Sequence, residues 1–431
     1  MAIDTKKELR QLLIYQVFVR NHTKEGTFKA LEKDLARIKD LGADYIYLLP
    51  IHPIGEKSRK GSIGSPYSIK DYWEINEDLG TVDDFKSLIN KAHETGLKVM
   101  MDIVFNHTSK DSRLLKERPE WFYKNEKGEF ANRVGDWDDI TDLDTTKDNG
   151  LYDELISIVL HYVKMGVDGF RCDVASLIPL KFWLKLRKKV HEINPNIIFL
   201  SESVHGDFLK HFRDLGYDVA SECEIYQAFD IAYDYDTQPF FVGYLQGDNC
   251  FNLFLQMKRI QEYIYPTNYV KLRNLENHDF GRFLSYIDGN IEKSIIWHAE
   301  IFFEKGATMI YAGQEFSDMN KPNLFEKDEA NFSGYDLTPL IKRMKEIKQD
   351  PIFAYGSYDV LKPNINEVFL LKYENKEKKL YGIFNVGLKE GDLEIKAVDG
   401  EFVNLIDGEK VVVKDGLFKL TNKPVIIEVK K

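Results

Sequence analysis

Gly169-Phe-Arg-Cys-Asp-Val-Ala-Ser176 decides how this chain is read. Its first residues form a strand-like run. In an extended chain side chains two apart share a face, so Arg171 and Asp173 point together while Cys172 points away. A carboxylate beside a guanidinium is favoured in its ionised form, the form a nucleophile needs near neutral pH. Taken alone, the pair reads equally well as a structural ion pair. Further acids stand in similar settings: Glu202 in Phe-Leu-Ser-Glu-Ser-Val, Asp279 in Glu-Asn-His-Asp and, upstream, Asp102 in Asp-Ile-Val-Phe-Asn-His107. Each lies at or just beyond the end of an apolar run.

Outward from that segment, short β-rich runs alternate with longer helical patterns, the rhythm of parallel βα units. The strand candidates are 12–19, 45–49, 98–105, 167–172, 197–201, 219–225, 269–275 and 308–311, with helical patterns at 27–41, 82–95, 151–165 and 291–304. This rhythm predicts an α/β fold, a closed (β/α)8 TIM barrel, with the chemistry at the C-terminal strand ends. About 40 residues from His107 to Thr146, rich in Asp, Asn, Gly and aromatics, separate the third strand from its helix and read as a small inserted subdomain walling the cleft. After residue 350, short alternating runs between Gly, Asp, Asn and Lys predict a C-terminal antiparallel β-sandwich. The expected division is barrel 1–106, insertion 107–146, barrel 147–350 and β-domain 351–431.

A chain of 431 residues can bury a large core. Its net charge of −11 offers no basic field for phosphate and argues against a nucleic-acid partner. Three cysteines without metal-ligand spacing indicate neither a disulfide framework nor a zinc site, and Cys172 reads as a small buried apolar residue. No apolar stretch suits a membrane span, and the N-terminus lacks a signal core, so a cytoplasmic location is expected. His93, His161 and His211 read as packing or surface residues.

Six segments, in order, resemble the α-amylase family of glycoside hydrolases: Gly64-Ser-Pro-Tyr-Ser-Ile-Lys-Asp-Tyr72, Asp102-Ile-Val-Phe-Asn-His107, Gly169-Phe-Arg-Cys-Asp173, Glu202 after the fifth strand, Asn277-His-Asp279, and Gly306-Ala-Thr-Met-Ile-Tyr-Ala-Gly-Gln-Glu315. The resemblance implies Asp173 as nucleophile, Glu202 as general acid and then base, and Asp279 as stabiliser of an oxocarbenium-like sugar. It places Tyr67, His107, Arg171 and His278 on the substrate and gives Asp102 a supporting role. A retaining glycosidase needs this division, one ionised carboxylate at the anomeric carbon and one protonated carboxyl at the leaving oxygen. The implied substrate is an α-glucan or maltooligosaccharide, cleaved at α-1,4 bonds.

Where many relatives carry Lys and His beyond the nucleophile, this chain has Ser176 and Leu177, so its leaving-group side is expected to differ from that of long-chain endo-amylases. Thr141-Asp-Leu-Asp144 resembles the amylase form of the insertion, whereas Val174 resembles relatives that tolerate α-1,6 links. Action on α-1,6 or mixed linkages, or transfer of the sugar to another sugar or to phosphate, are therefore the alternatives. A non-catalytic barrel is disfavoured because the acids are kept. No metal is expected to be required; a structural calcium, if held, would by resemblance use Asn106 and Asp144.

Overall fold

The computed structural model describes residues 4–431. Its centre is a closed parallel barrel of eight strands: β1 (Leu13–Val17), β2 (Tyr45–Leu48), β3 (Lys98–Ile103), β4 (Gly169–Cys172), β5 (Ile198–Ser201), β6 (Ile231–Tyr233), β7 (Lys271–Arg273) and β8 (Ala307–Tyr311). The order round the barrel is β1-β8-β7-β6-β5-β4-β3-β2.

Strand periodicity sorts the apolar side chains into two shells. Ile14, Tyr47, Met100, Leu200, Tyr233, Leu272 and Met309 fill the barrel interior. Their neighbours Leu13, Ile46, Val99, Met101, Phe170, Cys172 and Phe199 face outward into the larger core beneath the helices. The helix Val82–Thr95 shows why such helices start and stop where they do. Thr81 and Asp84 form a reciprocal capping box, and Gly96 closes the C-terminus at φ 81°, a left-handed conformation that glycine adopts without strain.

Two expectations are corrected. Residues 219–225 are not the sixth strand: Glu222–Ile225 is a helical turn opened by a Ser221–Glu224 capping box, and β6 lies six residues later than the expected strand's end, at Ile231–Tyr233. The pattern at 27–41 is not one helix but two, Phe28–Glu32 and Leu35–Asp40, broken at Lys33-Asp34.

After β3 the chain makes a hairpin of His107–Ser109 against Ile140–Asp142, with the rest of the insertion folded beside it. At the C-terminus, β9 (Ser357–Leu361), β10 (Phe369–Glu374), β11 (Lys378–Phe384) and β12 (Val425–Lys430) form an antiparallel sheet, joined by two smaller two-stranded sheets. Aromatic contacts dock this sheet on the barrel: Phe369 meets Phe251 and Trp297 edge-on at 4.8 and 5.4 Å, and Phe303 meets Tyr373 at 5.5 Å. Gly382 is required there, because a Cβ would lie 2.9 Å from the Phe303 ring.

Candidate active site

Register builds the site. Asp102 on β3 is the cross-strand partner of Arg171 on β4, so both side chains enter the barrel on the same level. Arg171 is fully buried and its Nη1 donates to both Asp102 oxygens at 2.9 and 3.0 Å and to Asp173 Oδ1 at 2.8 Å. Its Nη2 stands 2.9 Å from Glu202 Oε1 as an ion pair, at an angle that does not make a hydrogen bond. One guanidinium thus gathers the carboxylates read from three strand ends.

Asp102 is a scaffold. It has no exposed surface and also accepts from Tyr47 Oη at 2.7 Å and Tyr67 Oη at 2.9 Å. Burial pushes its carboxyl up to about 6 against the pull of Arg171 and the two phenols. Glu202 is held from the other side, its Oε2 accepting the Val174 N–H at 2.7 Å. Val174 has φ 35° and ψ 44°, a left-handed conformation costly for a β-branched side chain, immediately after Asp173.

Three buried carboxylates around one guanidinium leave an excess of negative charge. Burial, and then the charge of Glu202, drive Asp173 well above the usual carboxylate range, with Arg171 opposing. Asp279 is also raised, by burial, against the pull of Arg171 and Lys321. His278 Nε2 lies 3.2 Å from Asp279 Oδ2 and 2.5 Å from Tyr67 Oη, and its Nδ1 lies 3.0 Å from Gln16 Nε2. Burial, with Arg171 nearby, keeps His278 neutral, and burial likewise lowers His107. Both imidazoles therefore offer neutral hydrogen-bonding groups.

Tyr67, His107, Asp173, Glu202, His278 and Asp279 line one cleft of about 340 Å³. The Tyr67 ring stacks on that of His278, with centroids 5.4 Å apart and planes at 13°. The cleft also has walls the sequence did not single out: Lys60 and Ser65 after β2, Trp137 and Asp139 from the insertion, and Leu324 and Phe325 after β8. Gln16 had a signal, a polar residue inside the buried run Leu-Ile-Tyr-Gln-Val. The others lie in loops with no periodicity to read.

The residues named for calcium do not fit it. Asn106 Oδ1 accepts from Arg133 Nη2 at 3.1 Å, and the same guanidinium donates to Asp142 Oδ2 at 2.8 Å and to the Leu143 carbonyl at 3.2 Å. These are the oxygen types calcium selects, gathered about a guanidinium. Asp144 instead faces Lys147 at 2.8 Å and hydrogen-bonds Thr146.

A parallel barrel with a cleft of converging carboxylates at its C-terminal strand ends is the architecture of a (β/α)8 enzyme. The chain matches the family description "Alpha amylase, catalytic domain" over residues 16–352 and "Bacterial Alpha amylase C-terminal domain" over 360–427. It belongs to the alpha-amylase family, whose enzymes act on α-glucans. It is 40% identical to an alpha-amylase from Lactobacillus plantarum, with a TM-score of 0.95 over 98% of this chain and 100% of that one. A noncanonic maltogenic alpha-amylase from Thermotoga neapolitana is 31% identical, with a TM-score of 0.87 over 98% and 100%. Among curated relatives, the alpha-1,4-glucan:maltose-1-phosphate maltosyltransferase of Myxococcus xanthus is 35% identical over 212 residues, 44% of this chain. The chain covers about a third of that relative's length, 32%.

Proposed function

We propose that this chain hydrolyses α-1,4-glucosidic bonds of maltooligosaccharides with retention of configuration and without a required metal. The observation that carries the reading is the Arg171 guanidinium, braced by buried Asp102, holding Asp173 and Glu202 at one cleft that His278 and Asp279 complete.

In the first step the Asp173 carboxylate bonds to the anomeric carbon while Glu202 gives its proton to the departing glycosidic oxygen, so the C–O bond breaks without expelling an alkoxide. Arg171 disperses the negative charge that the reacting carboxylate must carry in a buried site. As the ring gains positive charge, Asp279 stabilises it electrostatically, and the neutral His107 and His278 hydrogen-bond sugar hydroxyls. In the second step Glu202, now ionised, takes a proton from water. The resulting hydroxide bonds to the anomeric carbon, Asp173 leaves as carboxylate, and the product is the α-anomer.

Proton NMR of the first product, recorded before mutarotation, tests this reading. The α-anomer is expected, and early accumulation of the β-anomer refutes it. The likeness to maltosyltransferases favours one other reading, in which a sugar hydroxyl or phosphate replaces water in the second step. Incubation of maltooligosaccharides with and without phosphate separates the two, because transfer yields longer chains or a sugar phosphate in place of net new reducing ends.

A further inference from the structure

On one side of the cleft three loops are tied together, and the position of that side bears on which end of the substrate meets it. In the barrel order, β5, which carries Glu202 at its end, is diametrically opposite β1, and β2 and β8 flank β1. The general acid faces the departing oxygen, so the leaving part of the glucan extends towards β5 and the glycone towards β1. On that β1 side three segments are tied into one rim.

The loop after β2 reaches the insertion through an ion pair, Lys60 Nζ to Asp139 Oδ1 at 3.2 Å, and through Ser68 Oγ, which donates to the Asp139 carbonyl at 3.0 Å. The same loop reaches the loop after β8. The N–H groups of Ile63 and Gly64 both donate to the Phe325 carbonyl at 3.2 Å, and the Ser62 N–H donates to Glu326 Oε1 at 2.7 Å. Arg20 fastens the pair from below, donating to the Gly64 carbonyl at 3.2 Å and to that of Leu324. Lys60, Asp139, Leu324 and Phe325 line the same cleft as Asp173. At about 340 Å³ the cleft is at the small end for ligand sites, with room for about one or two sugar rings.

We propose that this rim makes the glycone side a blind pocket, with the Lys60–Asp139 pair facing the free hydroxyls of a glucan's non-reducing end, so that the enzyme acts from that end and releases short units. The inference rests on the α-glucan hydrolase reading and adds the direction of attack. A chain continuing through O4 of the terminal sugar meets the rim, where a free 4-hydroxyl meets a cation and a carboxylate able to hydrogen-bond it.

The test compares p-nitrophenyl maltoheptaoside having a free non-reducing end with the same compound blocked there by a 4,6-O-ethylidene group, products being separated by chromatography. The wild-type protein is expected to lose at least about 100-fold in kcat/KM on the blocked compound, and Lys60→Ala to raise the blocked-to-free ratio at least about tenfold. Equal cleavage of the two compounds by wild type overturns the proposal. Calorimetry on Asp173→Asn reads the pocket without turnover: the free-ended compound should bind at least about tenfold more tightly than the blocked one. Equal binding overturns the pocket. Failure to cleave either compound with that binding difference intact overturns the hydrolase reading and supports the pocket.

Discussion

Replacing Arg133 by Met tests whether a protein cation organises the insertion around Asn106 and Asp142. The side chains of Arg133 and Asp142 are 6% and 1% exposed, so the substitution strands a carboxylate among protein atoms. Removing one partner of a buried pair costs about 3–5 kcal/mol. Asp142 keeps the backbone N–H of residue 133 at 2.9 Å and Asn106 Nδ2 at 3.4 Å, which puts the loss at the lower end, about 3 kcal/mol. At about 2 °C per kcal/mol for a chain of this size, the midpoint of thermal unfolding falls by about 6 °C.

Asp142→Asn in the same background removes the stranded charge and is expected to restore at least about half of the loss, a coupling that only a direct pair produces. Asn106 and His107 are adjacent, with Asn106 Nδ2 and His107 Nδ1 3.2 Å apart, and His107 lines the cleft, so kcat/KM is expected to fall about tenfold in Arg133→Met. The assay is scanning calorimetry in excess chelator and in millimolar calcium, with hydrolysis of maltopentaose alongside. Wild type should melt at one temperature in both. A wild-type midpoint that drops in chelator, together with an Arg133→Met protein as stable as wild type, refutes the reasoning.

Asp173→Asn and Glu202→Gln are each expected to lower kcat by at least about a thousandfold with unchanged circular dichroism, and retention of activity within tenfold removes the residue from its role. The acid limb of kcat/KM is expected above about pH 4, because the nucleophile works ionised and burial with Glu202's charge raises Asp173; a limb at or below that of a free aspartate contradicts this. Glu222 is pushed up to about 7 by burial and by Asp236, from an ordinary value of 4.5, so between those values the native chain holds a proton that the unfolded chain releases. Its contribution is complete below 4.5 and lost as pH rises through about 7, and Glu222→Gln should flatten the dependence of unfolding free energy on pH across that window.

Most of the barrel was legible because its strands are apolar runs at regular spacing. β6 was not, and charge explains why. It occupies three residues, Ile231-Ala-Tyr233, between Asp230 and Asp234, so locally it reads as polar loop. The flanking carboxylates are neutralised from far along the chain. Arg187 pairs with Asp230, and Lys258 and Arg273 both pair with Asp234 at 2.6 Å. A buried charge is tolerable only when paired, and no sequence window contains those partners. Residues 219–225 competed for the assignment on apolar content, but Ser221 and Glu224 already carried a helix-start signal.

The same distinction runs through the site. Arg171 and Asp173 were legible from a period of two, and Asp102 from its place at a strand end, because strand geometry alone puts them on one face. What positions Glu202 was not legible. Val174 would be expected to prolong β4, since branched residues favour extended backbone. It instead turns to φ 35°, a conformation that costs on the order of 1–3 kcal/mol for such a residue and persists only where the surroundings impose it. Those surroundings are visible: the Asp173 N–H is fixed to the Ile103 carbonyl on one neighbouring strand, and the Ala175 N–H to the Glu202 carbonyl just beyond another, at 2.9 and 3.0 Å. Pinned on both sides, the Val174 N–H leaves the ladder and points at Glu202 Oε2. The strain therefore aligns the two reacting carboxylates through a single peptide, and it arises from three strand ends that meet only once the barrel closes.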